Sequence, residues 1–161
     1  MAHGSAKARE VATWIVRTLR DRGFVAYFAG GCVRDELLGL TPKDYDVATD
    51  ARPDAIAAQF PRTAHVGAAF GVMLVRHDGV TVEVATFRSD GEYTDRRRPD
   101  QITFSDEVAD AKRRDFTVNA LFLDPLKPET ESGRVIDHVG GVPDLRAKLL
   151  RAVGDADQRL K

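Results

Sequence analysis

The sequence predicts a mixed α/β domain, a small sheet with helices packed on it. Three observations lead there. Apolar residues at Val11, Ile15, Val16 and Leu19 recur at helical spacing and stop before Gly23. The run "FVAYFAGG" is short, β-branched and aromatic, and ends at paired glycines as a buried strand does. In "GVMLVRHDGVTVEVATFR", two strand-like runs flank Asp78-Gly79, a two-residue hairpin signal.

The remaining elements follow in chain order. "CVRDELLG" suits a helix of two turns ending at Gly39, and "DYDVAT" a second strand beginning near Asp44. "RPDAIAAQFP" predicts a helix with Pro53 in its first turn and Pro61 past its end. From Ser89 to Gln101 the chain is polar and aperiodic, too long for a simple connection, and is either a mobile loop or a functional flap. "SDEVADAKRRDFTVNALFLDP" predicts a helix starting at Ser105 and a strand-like run before Pro125. "LKPETESG" is a surface turn. "RVIDHVGGVPDLRAKLLRAVG" predicts a short strand, a Gly-Gly turn and a last helix near Leu145 to Arg151. There is no internal repeat.

Bulk properties narrow the function. The 161 residues suffice for one domain with a real core, and 43% hydrophobic with 30% charged residues is ordinary for a soluble globular chain. Lys and Arg number 24 against 25 Asp and Glu, so any basic surface for nucleic acid must be local. Cys32 is the only cysteine, which excludes an internal disulfide and suits a reducing compartment. The start, "MAHGSAKARE", lacks a signal peptide's apolar core, and no apolar run is long enough to span a membrane. The expectation is a soluble, cytoplasmic protein.

Between Phe28 and Thr49 the residues suggest chemistry. Gly30 and Gly31 lack a Cβ, so a bulky anion can approach their backbone. A helix starting at Cys32 would aim its first N–H groups outward at a triphosphate. Arg34, one turn in, can make a forked contact with the same anion, and Lys43 adds positive charge. Asp44 and Asp46, two apart, would share one face of a strand and repel unless a cation sits between them. Mg²⁺ takes such ligands together with water and phosphate, and a metal pair can act on a hydroxyl while holding a leaving pyrophosphate. Glu83 is a mid-strand acid, costly to bury unpaired. If its strand neighbours the Asp strand, it completes a three-carboxylate site. Each piece alone has an ordinary reading. Asp155 and Asp157 repeat Asp-x-Asp, and Gly140-Gly141 repeats the glycine pair, with no support around either. The joint arrangement is what points to a site. His3, His65, His77 and His138 lack metal-ligand spacing. Cys32 is expected to be buried at a helix start that could lower its pKa. Trp14 is expected in the core or at a domain interface.

"GGCVRDELLG", "KDYDVAT", "VEVATFR", "RRRPDQITFS", "KRRDFTVNAL" and "VIDHVGGVPDLRAKLLRAVGD", in that order, resemble the bacterial tRNA nucleotidyltransferases and poly(A) polymerases of the class II CCA-adding type. The likeness runs from about Val25 to Lys161. It implies a nucleotidyltransferase head domain of the DNA polymerase beta type over residues 1–161, with a linker toward a neck beginning near 152–161. The implied reaction adds CMP and AMP, from CTP and ATP, to the 3′ end of tRNA with two Mg²⁺ ions. Asp44 and Asp46 match the metal-binding acids, and Glu83 resembles the third carboxylate. Gly31 and Arg34 match nucleotide-contacting positions, beside Gly30 and Lys43. Arg114 matches a nucleotide-binding arginine, and Asp115 and Asn119 belong to the segment used around the sugar.

Asp115 and Asn119 are also four apart, so a helix would present them from one face; the plainer alternative is a cap and a solvated face. Arg96, Arg97 and Arg98, with Arg88, form either a solvated loop or one that touches RNA or nucleotide. Lys112 to Arg114 can also neutralise phosphate. The family's "EDxLR" neck, which reads the base, does not follow "LLRAVGD", so a C-terminal neck, body and tail or a partner chain is expected to complete the protein. Mg²⁺-nucleotide binding is expected in this chain, without selection between C and A and with weak, salt-sensitive RNA binding. The alternatives are a poly(A) polymerase, an enzyme adding only CC or only A, or a noncatalytic nucleotide- or RNA-binding module.

Overall fold

The apolar stripe at the N-terminus folds as α1 (Ala2–Asp21) in the computed structural model, which describes residues 2–66, 71–89, 103–132 and 134–153. Val11, Ile15, Val16 and Leu19 are all buried, and Gly23 turns the chain at φ +90° into β1 (Ala26–Ala29). There follow α2 (Gly31–Leu37), β2 (Asp46–Thr49) and α3 (Pro53–Gln59), which has its proline in the first turn. Then come β3 (Thr63–His65) and the hairpin of β4 (Val72–His77) and β5 (Val80–Thr86). Asp78 and Gly79 both have positive φ, +53° and +76°, the geometry a two-residue hairpin turn requires.

Short strands β6 (Arg88–Ser89) and β7 (Thr103–Phe104) pair at the two ends of the segment 90–102. The expectation for Arg96, Arg97 and Arg98 lies outside the described residues, as do Asp155 and Asp157. The chain continues through α4 (Glu107–Lys112), a 3-10 turn (Thr117–Asn119), β8 (Leu121–Leu123), β9 (Val135–Asp137) and α5 (Gly141–Arg146).

Seven strands form one sheet in the order β3-β4-β5-β2-β1-β8-β9. Among the described residues only its β2–β5 pair is parallel. The sheet is therefore mixed, and the fold is the α/β class expected. Its two faces do different work. One presents Phe28, Val47, Val75, Val82 and Val84 to Ile15, Val16 and Leu19 of α1 and Ile56 of α3. The other carries the small residues Ala29 and Ala48, with Phe122, against Ala111 of α4. Alternation along β2 and β5 puts Asp46 and Glu83 on this second face. Trp14 packs against the first core cluster, stacked on His77 with centroids 4.1 Å apart. Among the described residues no helix is long and apolar enough to cross a membrane.

The elements depart from expectation in four places, each for a visible reason. α2 begins at Gly31, because Gly30 already accepts the first helical hydrogen bonds from the amides of Val33 and Arg34. β2 begins at Asp46, so Asp44 precedes the strand and alternation does not fix its direction. α4 starts after Asp106, whose side chain caps the Ala109 amide at 2.9 Å, and ends at Lys112. Asp115 and Asn119 therefore share no helix. The cause is a competing extended pairing: Thr117 N donates to Arg151 O and Val153 N to Asp115 O, both at 2.9 Å, around a bridge between Phe116 and Ala152. That pairing also ends the last helix early, at Arg146 instead of Arg151. The start of α5 is set by Asp137, whose carboxylate accepts from the amides of Gly140, Gly141 and Val142 at 2.8–2.9 Å.

The second glycine pair is thus more than a turn. A Cβ on Gly141 would stand 2.2 Å from the carbonyl oxygen of Thr117, so α5 seats directly on the 3-10 turn. Gly141→Ala is expected to lower stability by about 2–3 kcal/mol in urea unfolding. Gly23→Ala, which meets no atom within 4 Å and strains only the backbone, should lower it by about 1 kcal/mol.

Candidate active site

Ala29, the last residue of β1, pairs with Asp46, the first of β2, so the chain turns at Gly30 directly beside the Asp46 carboxylate. Gly30 has φ +78° and ψ −142°, a conformation open to glycine alone. A Cβ there would lie 3.6 Å from Arg114 Nη1 and 4.0 Å from Asp46 Oδ2. Backbone, cation and carboxylate meet at that point. An open cleft of about 430 Å³ spreads from it, lined also by Gly31, Arg34, Arg113, Asp115 and Asn119. Asp115 and Asn119 reach one cleft although they share no helix.

Both arginines are held from behind. Arg34 donates through Nε and Nη2 to Asp35 Oδ1, each at 3.1 Å, and through Nη1 to Asn119 Oδ1 at 2.8 Å. That last bond occupies the Asn119 carbonyl and leaves its NH₂ as a donor. Arg114 donates through Nε and Nη2 to Asp110 Oδ1 at 3.1 and 2.9 Å, and its guanidinium carbon lies 5.7 Å from the Phe122 ring centroid. The other Asp110 oxygen accepts from Arg113 Nη2 at 3.3 Å and from the Arg88 amide at 3.0 Å.

The Asp46 carboxylate has no hydrogen bond or ion pair among the described residues. Burial pushes its pKa up from the ordinary 3.8 to about 6; Glu83 and Asp44 add to the rise, and Arg114 opposes it. Glu83 is its register neighbour across the parallel β2–β5 pair. Glu83 and Asp44 both act on Asp46, and among the described residues no three His, Cys, Asp or Glu groups stand together so that they could hold a metal ion by themselves. Of the three acids Asp46 alone lines the cleft, while Asp44 and Glu83 are exposed. An open set of acids fits a cation that completes its shell with water and substrate oxygens, as Mg²⁺ does.

Lys43 is exposed and does not line the cleft. Arg88 sits in β6 with its backbone amide on Asp110. Cys32 is buried in the first turn of α2 as expected, but its thiol is not made more acidic: burial pushes it up to about 12, and Sγ donates to Ala29 O at 3.3 Å. Two supports went unread in the sequence. Asp110 is 1% exposed at the centre of the arginine cluster, and its spacing from Arg113 and Arg114 was the available signal. Tyr45, buried between the two acids, donates its hydroxyl to Glu36 of α2, which also accepts from Arg9 Nε at 2.9 Å. This ties the Asp-Tyr-Asp segment to both helices, a link between distant positions that no local pattern marks.

Comparison with known proteins agrees with this geometry. Residues 26–151 match the family model described as the Poly A polymerase head domain. The chain is 46% identical over 151 residues to the CCA-adding enzyme of Geobacillus thermodenitrificans, covering 93% of this chain and 36% of that protein. It is 46% identical over 148 residues to the CCA-adding enzyme of Streptococcus pyogenes, covering 91% and 35%. Among solved structures it is similar to the Bacillus stearothermophilus CCA-adding enzyme in complex with CTP, at TM-score 0.80 and 40% identity over 92% of this chain and 34% of that one. It also resembles a tRNA nucleotidyltransferase complexed with a primer tRNA and an incoming ATP analog, at TM-score 0.67 and 26% identity over 87% and 39%. The chain therefore spans roughly a third of the length of the curated relatives it matches.

The raised pKa of Asp46 sets a pH dependence whose sign is fixed. Between about pH 4 and pH 6 the folded state holds a proton that the unfolded chain has lost, so stability falls as pH rises through that window. Without divalent ions, Asp46→Asn is expected to be more stable than wild type by about 1–2 kcal/mol near neutral pH, with the gap vanishing below about pH 4. Thermal melts across pH measure this, and a gap independent of pH would contradict it.

Proposed function

We propose that this chain, which belongs to the Poly A polymerase head domain family, is the catalytic head of an RNA nucleotidyltransferase that adds CMP and AMP, from CTP and ATP, to the 3′ end of tRNA. The observation that carries this reading is the convergence at Gly30, where a close-approach backbone, the Arg114 Nη1 and the Asp46 carboxylate share one point of an open cleft. A triphosphate needs the first two, and a metal-bridged phosphate needs the third.

In this reading the terminal hydroxyl oxygen of the RNA attacks the α-phosphorus in line. Its new P–O bond replaces the one to pyrophosphate, which leaves, and the hydroxyl proton passes to solvent. Asp46 and Asp44, with Glu83 at the edge, would hold two Mg²⁺ ions, which when bound supply Lewis-acid charge at the reacting phosphate. Gly30, Gly31 and Arg34 bind the β- and γ-phosphates, with Lys43 contributing charge from the rim. Arg114 reaches the phosphates from the opposite wall. The Asp115 carboxylate and the Asn119 NH₂ offer an acceptor and a donor to a sugar hydroxyl. Arg88, Arg96, Arg97 and Arg98 would supply positive charge to RNA or the incoming nucleotide. Alignment and fixed charge supply most of the acceleration.

Residues 1–161 act as one head, with 152–161 leading toward a neck; base choice and the grip on tRNA belong to a further C-terminal region or a partner chain. A cytoplasmic location suits this substrate. The chain matches a Poly A polymerase head-domain model and is similar to CCA-adding enzymes, which leaves product length as the discriminating property: a completed CCA end supports this reading, and a long A tract the poly(A) polymerase alternative.

Calorimetry of ATP and CTP binding tests the site directly. Affinity is expected to depend on Mg²⁺ and to fall about 100-fold in Asp46→Ala. Binding that is indifferent to Mg²⁺ or to the loss of Asp46 would leave a noncatalytic module as the better description.

A further inference from the structure

We infer that Asp110 is a positioning residue: it grips the inner edge of the Arg114 guanidinium so that Nη1 projects into the cleft over Gly30, and it keeps that arginine off the Asp46 carboxylate. The inference rests on the nucleotide-binding reading of the cleft and adds a residue outside its lining.

The donor count of arginine carries the case. A guanidinium has a fixed fork of five N–H donors, one on Nε and two on each Nη. Asp110 Oδ1 takes Nε and Nη2, at 3.1 and 2.9 Å, so among the described residues Nη1 is the nitrogen left wholly for a ligand. That nitrogen is the one standing 3.6 Å from where a Cβ of Gly30 would be. The Phe122 ring, 5.7 Å from the guanidinium carbon, lies against its face, so the fork is held at both edge and plane.

Asp46 Oδ2 lies within 4.0 Å of the same point. Arg114 attracts Asp46 across this point, and an arginine free to swing would close on that carboxylate. A collapsed pair would neutralise the carboxylate needed for a cation and withdraw the arginine from phosphate. Asp110 is 1% exposed, on α4 behind the arginine, so its attraction is little screened and pulls Arg114 away from Asp46. Its second oxygen holds the Arg88 amide at 3.0 Å, so the same carboxylate anchors the strand leading into residues 90–102.

A buried acid that merely stabilises the fold would show none of this coupling, and a double-mutant cycle separates the two roles. ATP affinity with Mg²⁺, and Mn²⁺ affinity without nucleotide, would be measured by calorimetry in wild type, Asp110→Asn, Arg114→Ala and the double variant. Asp110→Asn is expected to weaken both about tenfold. In the Arg114→Ala background the same change should do nothing to ATP, and Mn²⁺ affinity should return to at least the wild-type level, since no arginine remains to cover Asp46. Equal losses in both backgrounds would overturn the inference. If Asp110→Asn does not fold, Asp110→Glu, which keeps the charge and moves it by one methylene, carries the same cycle; ATP and Mn²⁺ affinities unchanged from wild type there would also overturn it. Slow exchange of the Arg114 Nε–H by NMR, read without ligand and lost in the Asp110 variants, tests the clamp itself. Wild type that fails to bind ATP while keeping that slow exchange would sink the nucleotide reading of the cleft, a result distinct from the failure of the clamp.

Discussion

Ala29, Asp46 and Glu83 stand side by side on β1, β2 and β5, in a register where each is the direct neighbour of the next. Everything at the cleft depends on that alignment. A slip of one residue in β2 would bring Val47 to the cleft face and turn Asp46 into the core beneath α1. What prevents the slip is the opposite face, where Val47, Phe28, Val82 and Val84 are buried together. Burying each such side chain is worth about 1.5–3 kcal/mol. The apolar core thus positions Asp46, an acid whose charge opposes folding.

The cleft's charges are arranged unequally. Arg34 and Arg114 have dedicated partners in Asp35, Asn119 and Asp110, which fix their forks before any ligand arrives. The Asp46 carboxylate has none among the described residues, and its neighbours Glu83 and Asp44 carry the same sign. Held donors lose little freedom on binding an anion. An unpaired, half-buried acid is the opposite case, a standing cost that a cation relieves. Together they leave fixed cationic donors on the cleft beside one uncompensated acid.

The second wall of the cleft is built from a distant part of the chain. Asp115 and Asn119 flank a 3-10 turn whose Thr117 donates its hydroxyl to Asp144 of α5 at 2.7 Å. Arg151 donates to the same carboxylate from Nε at 3.1 Å, while its carbonyl accepts from Thr117 N. The close seat of Gly141 leaves this contact no slack. The segment 151–153 is therefore joined to the turn that carries two of the cleft's polar groups, so a shift of one moves the other.

Much of this was legible in the residues themselves. Periodicity identified α1, Asp78-Gly79 identified the hairpin, and the stretch with the glycine pair, Arg34 and Asp46 does line the cleft, though Asp44 does not, because turns, helix faces and close backbone approach are local properties. Tertiary structure alone decided the rest. Asp115 and Asn119 left the expected helix because pairing with residues 151–153 outcompeted local propensity. Asp110 reads on paper as one more acid on a short helix, and becomes the anchor of Arg113 and Arg114 only once α4 is packed on the sheet. Cys32 lost the lowered pKa that its position suggested because burial outweighed the helix start. The chain's own pattern determined which groups exist and the local shape around each. Which charge faces which was settled by strand register and by pairings between distant segments, because the Coulomb and desolvation energies behind them depend on distances through space that no spacing along the chain contains.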